Sequence, residues 1–176
     1  MSTVIVYNSK TGFTEKYAMW LKEALGADCF ALDDAKKVDF DKYAAVVFGS
    51  WVCAGSVSKS KWLLDRLPGW KDKKIALYAV GGSPRENPDV DRLLENAIPA
   101  GYPDAKAFYC QGGYNYERMG GMSRAAMKLF AKMLKARKDQ TEDEKVMSEM
   151  ISKSYDISDR KFIEPIVGFI TGADSE

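Results

Sequence analysis

The chain has 176 residues, of which 46% are hydrophobic and 29% charged, and its formal net charge is +1. This length fits one domain spanning residues 1–176, and the small net charge gives no indication of a nucleic-acid partner. No histidine is present, which excludes histidine-based triads, histidine general bases and histidine metal ligands.

The cysteine pattern bears on the redox compartment of the protein. Cys29, Cys53 and Cys110 are widely spaced and form no CxxC pair, so the sequence predicts neither a zinc site nor a redox dithiol. Unpaired thiols are typical of a reducing compartment. We therefore expect a cytoplasmic protein, and no apolar run reaches the roughly 18 residues that a membrane-spanning helix needs.

Strand-like and helix-like segments alternate through the first two thirds of the chain. Runs rich in β-branched and aromatic residues predict strands at 3–8, 28–32, 45–50, 74–80 and 105–110. Periodic apolar residues predict helices at 14–25, 58–67 and 88–98. Most of the strands are apolar throughout, which suits a parallel sheet covered on both faces. The alternation predicts an α/β fold of the doubly wound, three-layer type.

The last third of the chain has a different character. Residues 111–121, the tyrosine loop, contain four glycines and two tyrosines, and residues 122–138 follow with a strong helical pattern. An acidic break at 139–145 precedes a predicted closing helix at 158–172. Pro165 lies inside that segment and should delay or bend the helix.

Residues 9–14, the hydroxyl loop, combine several hydroxyl groups with a glycine between the first strand and the first helix. The first backbone N–H groups of a helix have no partners inside it and form a natural anion site, which Gly12 lets a ligand approach closely. The spacing matches neither the Walker motif GxxxxGK[ST] nor the dinucleotide motif GxGxxG. The loop therefore predicts a phosphate cradle. The alternative is that Thr11 or Thr14 is only an ordinary helix cap.

The segment IVYNSKTGFTEKYAMWL, residues 5–21, resembles the flavodoxin signature. The matching positions are Ile5, Val6, Tyr7, Ser9, Gly12, Thr14, Ala18 and Leu21. The resemblance implies a flavodoxin-like sandwich with five parallel strands in the order 2-1-3-4-5, known for flavodoxins, and FMN at the carboxyl edge of the sheet. The phosphate of FMN would then be held by Ser9, Lys10, Thr11, Gly12, Phe13 and Thr14.

The resemblance further implies that two loops at the same edge surround the flavin ring. Both carry small and aromatic residues, which flank a flat ring and let backbone groups reach its polar edge. The residues expected there are Ser50, Trp51, Val52, Cys53, Ala54 and Gly55 in one loop, and Gln111, Gly112, Gly113, Tyr114, Asn115 and Tyr116 in the other. The alternative for each aromatic residue is a packing role, and we expect Cys53 to pack rather than react. The sequence identifies no catalytic residue.

The helix at 122–138 carries apolar residues at helical spacing, and all its charged residues are basic. A basic amphipathic helix is typical of a contact with an anionic membrane surface or a partner protein, which would place this chain at the membrane periphery. The alternative is the last packing helix of the sandwich, with a solvated basic face. The sequence leaves both alternatives open.

The whole chain resembles a flavodoxin-like subgroup that includes the bacterial quinone-dependent protoporphyrinogen oxidases, in which a similar loop runs into a long basic helix. This resemblance implies an FMN-binding redox protein that exchanges electrons with a redox partner protein or a quinone. The alternative is an oxidoreductase that oxidises a porphyrinogen with a quinone as acceptor, and the carboxylates of that substrate would suit Arg118, Arg124 and Lys128. The sequence does not decide between an electron carrier and an enzyme.

Overall fold

A parallel sheet forms the centre of the computed structural model, which describes residues 1–137, 139, 145 and 148–173. Its strands are β1 (Thr3–Asn8), β2 (Asp28–Ala31), β3 (Ala45–Cys53), β4 (Ser56–Val57), β5 (Lys74–Gly81) and β6 (Ala105–Gln111). The order is β2-β1-β3-β5-β6, and the short β4 pairs antiparallel with the end of β3. Counted over the parallel strands alone, this order is the predicted 2-1-3-4-5, so the expected fold is confirmed.

The described helices are α1 (Phe13–Leu25), α2 (Lys61–Leu64), α3 (Pro88–Ala97), α4 (Gly121–Ala136) and α5 (Glu164–Thr171). Helices α1 and α5 pack on one face of the sheet, α2 and α3 pack on the other, and α4 lies at the carboxyl edge. The ends of α1 and α3 follow from the local sequence. Gly26 ends α1 in the left-handed conformation, with its N–H bonded to the Lys22 carbonyl, and the Asn87 side chain caps α3 ahead of Pro88.

The core has two parts, one on each face of the sheet. Because side chains alternate along a strand, Val4 and Val6 pack towards α3 on one face, while Ile5 packs against α1 and α5 on the other. All three side chains are fully buried. Strands buried on both faces explain the uninterrupted apolar runs that predicted a parallel sheet.

Two predicted elements differ from the structure. The helix predicted at 58–67 is only the four residues of α2 followed by a 3-10 turn at Leu67–Gly69. Lys59 adopts a positive φ of 58°, which a helix does not allow, and Pro68 lies in the turn. The strand predicted at 45–50 continues to Cys53 and turns back through β4, because the residues after Ser50 still pair with β5 and β4.

The last third of the chain folds back onto the sheet. Strand β7 (Gly113–Tyr114) pairs antiparallel with β8 (Tyr155–Asp156), so the segment after α4 returns to the tyrosine loop. The helix predicted at 122–138 is confirmed as α4, but Ala131 is its only buried residue. Helix α5 starts late, with Pro165 in its first turn, as predicted. The predicted acidic break at 139–145 falls largely outside the described residues.

The described residues contain no helix that is both long and apolar enough to cross a membrane. Within the same residues, no group of three or more cysteine or acidic side chains is placed to bind a metal ion.

Candidate functional site

A cavity of about 400 Å³ opens at the carboxyl edge of the sheet. It lies where β1, β3 and β5 end, and α4 forms its outer wall; we refer to it as the edge cavity. Ten of the predicted site residues line it, namely Lys10, Thr11, Phe13, Thr14, Trp51, Val52, Cys53, Ala54, Gly113 and Tyr114. The other predicted residues do not line it, namely Ser9, Gly12, Ser50, Gly55, Gln111, Gly112, Asn115 and Tyr116. The structure thus brings the three predicted loops together.

The hydroxyl loop leaves its donors free. The N-cap of α1 is Gly12, in the left-handed region with φ 99°, and no side chain caps the helix. Ser9 Oγ accepts a hydrogen bond from the Gly12 N–H at 3.2 Å. Among the described residues, the hydroxyls of Thr11 and Thr14 make no hydrogen bond. The first N–H groups of α1 and these hydroxyls are therefore available to a ligand, and neither threonine is the helix cap.

Two cations lie beside this loop. Lys10 Nζ donates to Ser123 Oγ at 2.7 Å and lies 5.4 Å from the centroid of the Trp51 ring. The guanidinium of Arg118 lies directly against Gly12, so that a Cβ on this glycine would overlap Arg118 Nη1. Neither cation pairs with a carboxylate anywhere in residues 1–137, 139, 145 and 148–173. The loop therefore combines free donors with uncompensated positive charge.

The second predicted loop is largely a β-hairpin. Val52 pairs with Val57, and Ala54 and Gly55 form the turn, both with positive φ. Below the hairpin, the fully buried Ser50 accepts a hydrogen bond from Asn8 Nδ2 at 2.9 Å. Ser50 therefore joins the ends of β1 and β3 and supports the cavity from beneath. The half-buried Trp51 belongs to the cavity wall.

The tyrosine loop is held in place from both sides. The Gly112 N–H donates to the Gly81 carbonyl at 2.7 Å, and its carbonyl accepts from the Ile157 N–H at 2.8 Å. The rings of Tyr114 and Tyr155 meet edge to face with centroids 5.4 Å apart, and the Tyr155 hydroxyl donates to the Gly82 carbonyl at 2.7 Å. Tyr114 is thereby fixed as one wall of the cavity.

Burial raises the pKa of both tyrosines, so the Tyr114 and Tyr155 hydroxyls stay protonated at neutral pH.

Three residues predicted near the ring make other contacts. Tyr116 is buried, its hydroxyl donates to the Ile151 carbonyl, and its N–H donates to Ser154 Oγ at 3.0 Å. Asn115 Oδ1 accepts from the Arg118 N–H at 3.0 Å. The Gln111 carbonyl accepts from the Tyr17 hydroxyl. These contacts match the packing alternative for Tyr116 and give Asn115 a role in placing Arg118.

Sequence reasoning missed one side of the cavity. The additional lining residues are Val80, Gly81, Gly82, Met119, Ser123, Ala126, Met127 and Phe130. The glycine pair after the strand at 74–80 was a usable signal, because it follows another strand whose carboxyl end reaches the same edge. The residues on α4 had no such signal, because helical periodicity does not reveal what a helix packs against. Arg118 belongs to the tyrosine loop but is far in sequence from the hydroxyl loop, and Tyr155 is far in sequence from both loops.

A second cavity, of about 460 Å³, lies between the end of α3 and the start of β6. Its lining includes Ile98, Tyr102 and Ala105, and its single charged side chain is Lys106. Because Ala105 is the first residue of β6, this cavity lies at the amino edge of the sheet and contains none of the predicted site residues.

Comparison with known proteins gives one family match. The family model described as "Flavodoxin domain" matches residues 4–141. No curated protein sequence matches the chain significantly.

Among solved structures, the chain is similar to a flavodoxin, WrbA-like protein from Agrobacterium tumefaciens, with 23% identity, 71% of this chain and 89% of that chain covered, and a TM-score of 0.44. It is also similar to the Trp repressor binding protein from Bacillus subtilis, with 17% identity, coverages of 79% and 100%, and a TM-score of 0.46. A flavoprotein in complex with FMN from Lactobacillus acidophilus has 15% identity, coverages of 62% and 91%, and a TM-score of 0.44. These TM-scores are too low to add to the argument.

Proposed function

This chain belongs to the flavodoxin family, and we propose that its edge cavity binds FMN non-covalently to transfer electrons. FMN is the cofactor of that family. The observation that carries the proposal is the hydroxyl loop, where uncapped N–H groups, free hydroxyls and two cations without carboxylate partners meet at the edge of the sheet.

The donors of the hydroxyl loop suit a phosphate group. A phosphate dianion needs several hydrogen-bond donors and compensating positive charge, and a helix N-terminus supplies both. Gly12 lets the backbone bend closely around the anion because it has no Cβ. We assign the phosphate to Ser9, Lys10, Thr11, Gly12, Phe13 and Thr14. We add Arg118, which the sequence indicated only as a partner for porphyrinogen carboxylates.

The remaining walls of the cavity suit a flat aromatic ring. A volume of about 400 Å³ is within the range of small-molecule sites. Trp51 and Tyr114 supply aromatic faces, and the backbone of Val52 to Ala54 and of Gly113 can reach a polar ring edge. Met127 and Phe130 of α4 contribute apolar groups to the outer side.

FMN, when bound, supplies one-electron and two-electron redox chemistry. The residues of this chain bind it, orient it and exclude water from it. The cavity lining described here contains no aspartate or glutamate and no histidine, and its ionisable side chains are Lys10, Cys53 and Tyr114. Burial raises the pKa of Tyr114, so its hydroxyl keeps its proton at neutral pH. A site without a general base favours electron transfer over proton abstraction from a substrate.

A second candidate function is flavin-dependent oxidoreduction with a quinone, as in the protoporphyrinogen oxidase subgroup. It is favoured by the apolar wall of Met119, Met127 and Phe130, which suits a flat apolar acceptor. A porphyrinogen fits less well. Arg124 already donates to the carbonyls of Glu117 and Met119 at 3.2 and 3.1 Å, and Arg118 lies on the hydroxyl loop.

Electron transfer is tested with protein loaded with FMN and freed of unbound flavin. The flavin is reduced photochemically under anaerobic conditions, and the protein is mixed with ferricyanide, with a water-soluble quinone, or with neither. We expect one FMN per chain and rapid reoxidation by ferricyanide. Rapid reoxidation of the protein by the quinone but not by ferricyanide would favour the second candidate. A protein that binds FMN but passes electrons to neither acceptor faster than free FMN does would contradict the proposed function.

A further inference from the structure

The outward side of α4 is an apolar surface that nothing in the described chain covers. Six large hydrophobic side chains are exposed in the described residues, and four of them are on this helix. Met122, Leu129 and Met133 are 90%, 60% and 61% exposed. They are seven and four residues apart, so they lie along one side of the helix. We call these three residues the outer stripe.

A row of positive charge runs beside the outer stripe. Lys128, Lys132 and Lys135 are exposed and follow each other at spacings of four and three residues, which places them on one side of α4. None of the three forms an ion pair with a described residue. The helix from 121 to 136 contains no acidic residue. We call these three residues the lysine row.

We propose that α4 docks on an anionic lipid surface. A helix of 16 residues, about 24 Å long, can lie in the plane of the headgroups. The outer stripe would enter the boundary between headgroups and acyl chains, while the lysine row contacts anionic headgroups. A second copy of α4 would bring only more positive charge and no carboxylate. The charge pattern therefore selects an anionic lipid surface over self-association.

A neighbouring side of α4 ties this surface to the edge cavity. Ser123 accepts a hydrogen bond from Lys10 of the hydroxyl loop at 2.7 Å, and Arg124 bonds the carbonyls of the preceding loop. Met127 and Phe130 line the cavity. Docking would therefore place one wall of the cavity beside the membrane. The inference rests on surface residues of α4 and does not require that FMN binds.

The test is cosedimentation of the protein with phosphatidylcholine vesicles that contain or lack phosphatidylglycerol, at low and high salt. Three triple variants are compared with the wild type. K128Q/K132Q/K135Q removes the lysine row, and M122S/L129S/M133S removes the outer stripe. The control K36Q/K71Q/K153Q makes the same change in net charge at exposed lysines outside α4. Circular dichroism checks that all variants are folded.

We expect the wild type to bind only the vesicles that contain phosphatidylglycerol, and to release them at high salt. Each lysine near an anionic surface contributes about fivefold, so the variant lacking the lysine row should bind on the order of 100-fold more weakly. The control variant should bind like the wild type, and the variant lacking the outer stripe should lose binding.

Three results would overturn the inference. The first is no binding to the anionic vesicles at low salt, and the second is an equal loss in the control variant. The third comes from analytical ultracentrifugation without lipid. A wild-type dimer that M122S/L129S/M133S abolishes would assign the outer stripe to a second copy of the chain.

Discussion

Helices α1 and α4 both start at the carboxyl edge of the sheet, but only α1 packs against a face of it. Each follows a loop at the carboxyl edge, and each is amphipathic. Helix α1 buries Thr14, Tyr17, Ala18 and Leu21 against the sheet, whereas α4 buries only Ala131. The comparison teaches that an apolar stripe specifies a helix but not its partner. The stripe of α1 belongs to the core, and that of α4 divides between the edge cavity and solvent.

The largest expected difference between the helices is in stability. Leu21 is fully buried, so Leu21→Ala should lower the free energy of unfolding by about 2–5 kcal/mol through lost burial and a cavity. Leu129 is 60% exposed, so Leu129→Ala should change the free energy of unfolding by less than about 0.5 kcal/mol. Urea unfolding of both variants measures this. Equal losses of stability in the two variants would mean that other parts of the protein cover the outer side of α4, which would contradict the difference between the two helices.

The start of α1 differs from that of α4 in its left-handed glycine. Gly12→Ala strains a backbone with φ 99° and displaces Arg118, so FMN should bind at least roughly tenfold more weakly. Gly26→Ala is a matched control. Gly26 is also left-handed, with φ 59°, but a Cβ there meets no atom within 4 Å. Both variants should lose roughly 1–2 kcal/mol of stability. A similar fall in FMN affinity in the Gly26→Ala control would show that Gly12 has no specific role in binding FMN.

The cation beside Gly12 should separate FMN from riboflavin, which lacks the phosphate. Removing an exposed charge from a phosphate site weakens binding by about 1.4 kcal/mol, or about tenfold. Arg118→Gln should therefore weaken FMN binding by about tenfold and leave riboflavin binding unchanged. Arg92→Gln, on the exposed side of α3, serves as the control. If the Arg118 variant weakened both flavins equally, the residue would act on the cavity as a whole rather than on the phosphate.

The smallest effect on stability is expected at the ion pair between β8 and α1. Asp156 of β8 accepts from Lys16 of α1 at 2.8 Å. Burial alone would raise the pKa of Asp156, but hydrogen bonds from Lys16 and Ser158 lower it below the ordinary value of an aspartate. A lowered pKa in the folded state means that the stabilisation is complete above that value and is lost as the pH falls below it. Because both side chains are more than a third exposed, the loss should be under about 1 kcal/mol.

Urea unfolding at pH 7 and at pH 3 measures this difference. The Asp156→Asn variant has no carboxylate to protonate. The difference in the free energy of unfolding between the wild type and this variant should therefore be smaller at pH 3 than at pH 7. A difference in the free energy of unfolding that is the same at both pH values would show that the ion pair does not stabilise the fold.

How much the sequence could predict depends on whether a feature is local. The hydroxyl loop and its glycine lie within six residues, and the apolar runs predicted a buried parallel sheet. The strand order came from the resemblance to flavodoxins. The contact of Arg118 with Gly12 and that of Tyr155 with Tyr114 arise from the tertiary fold, so no local pattern indicated them. Small residues after Ser50 are typical of a loop, so the sequence does not indicate the hairpin that they form. That Tyr116 contacts the ring, and that residues 1–176 form one domain, stay predictions.

The most direct test of the central claim is a titration of FMN with the purified protein, followed by the fluorescence of the flavin. We predict that fluorescence changes until one FMN is bound per chain, and that riboflavin binds more weakly because it has no phosphate for the hydroxyl loop. Flavin fluorescence that is unchanged by a molar excess of folded protein would contradict the assignment of the edge cavity as an FMN site.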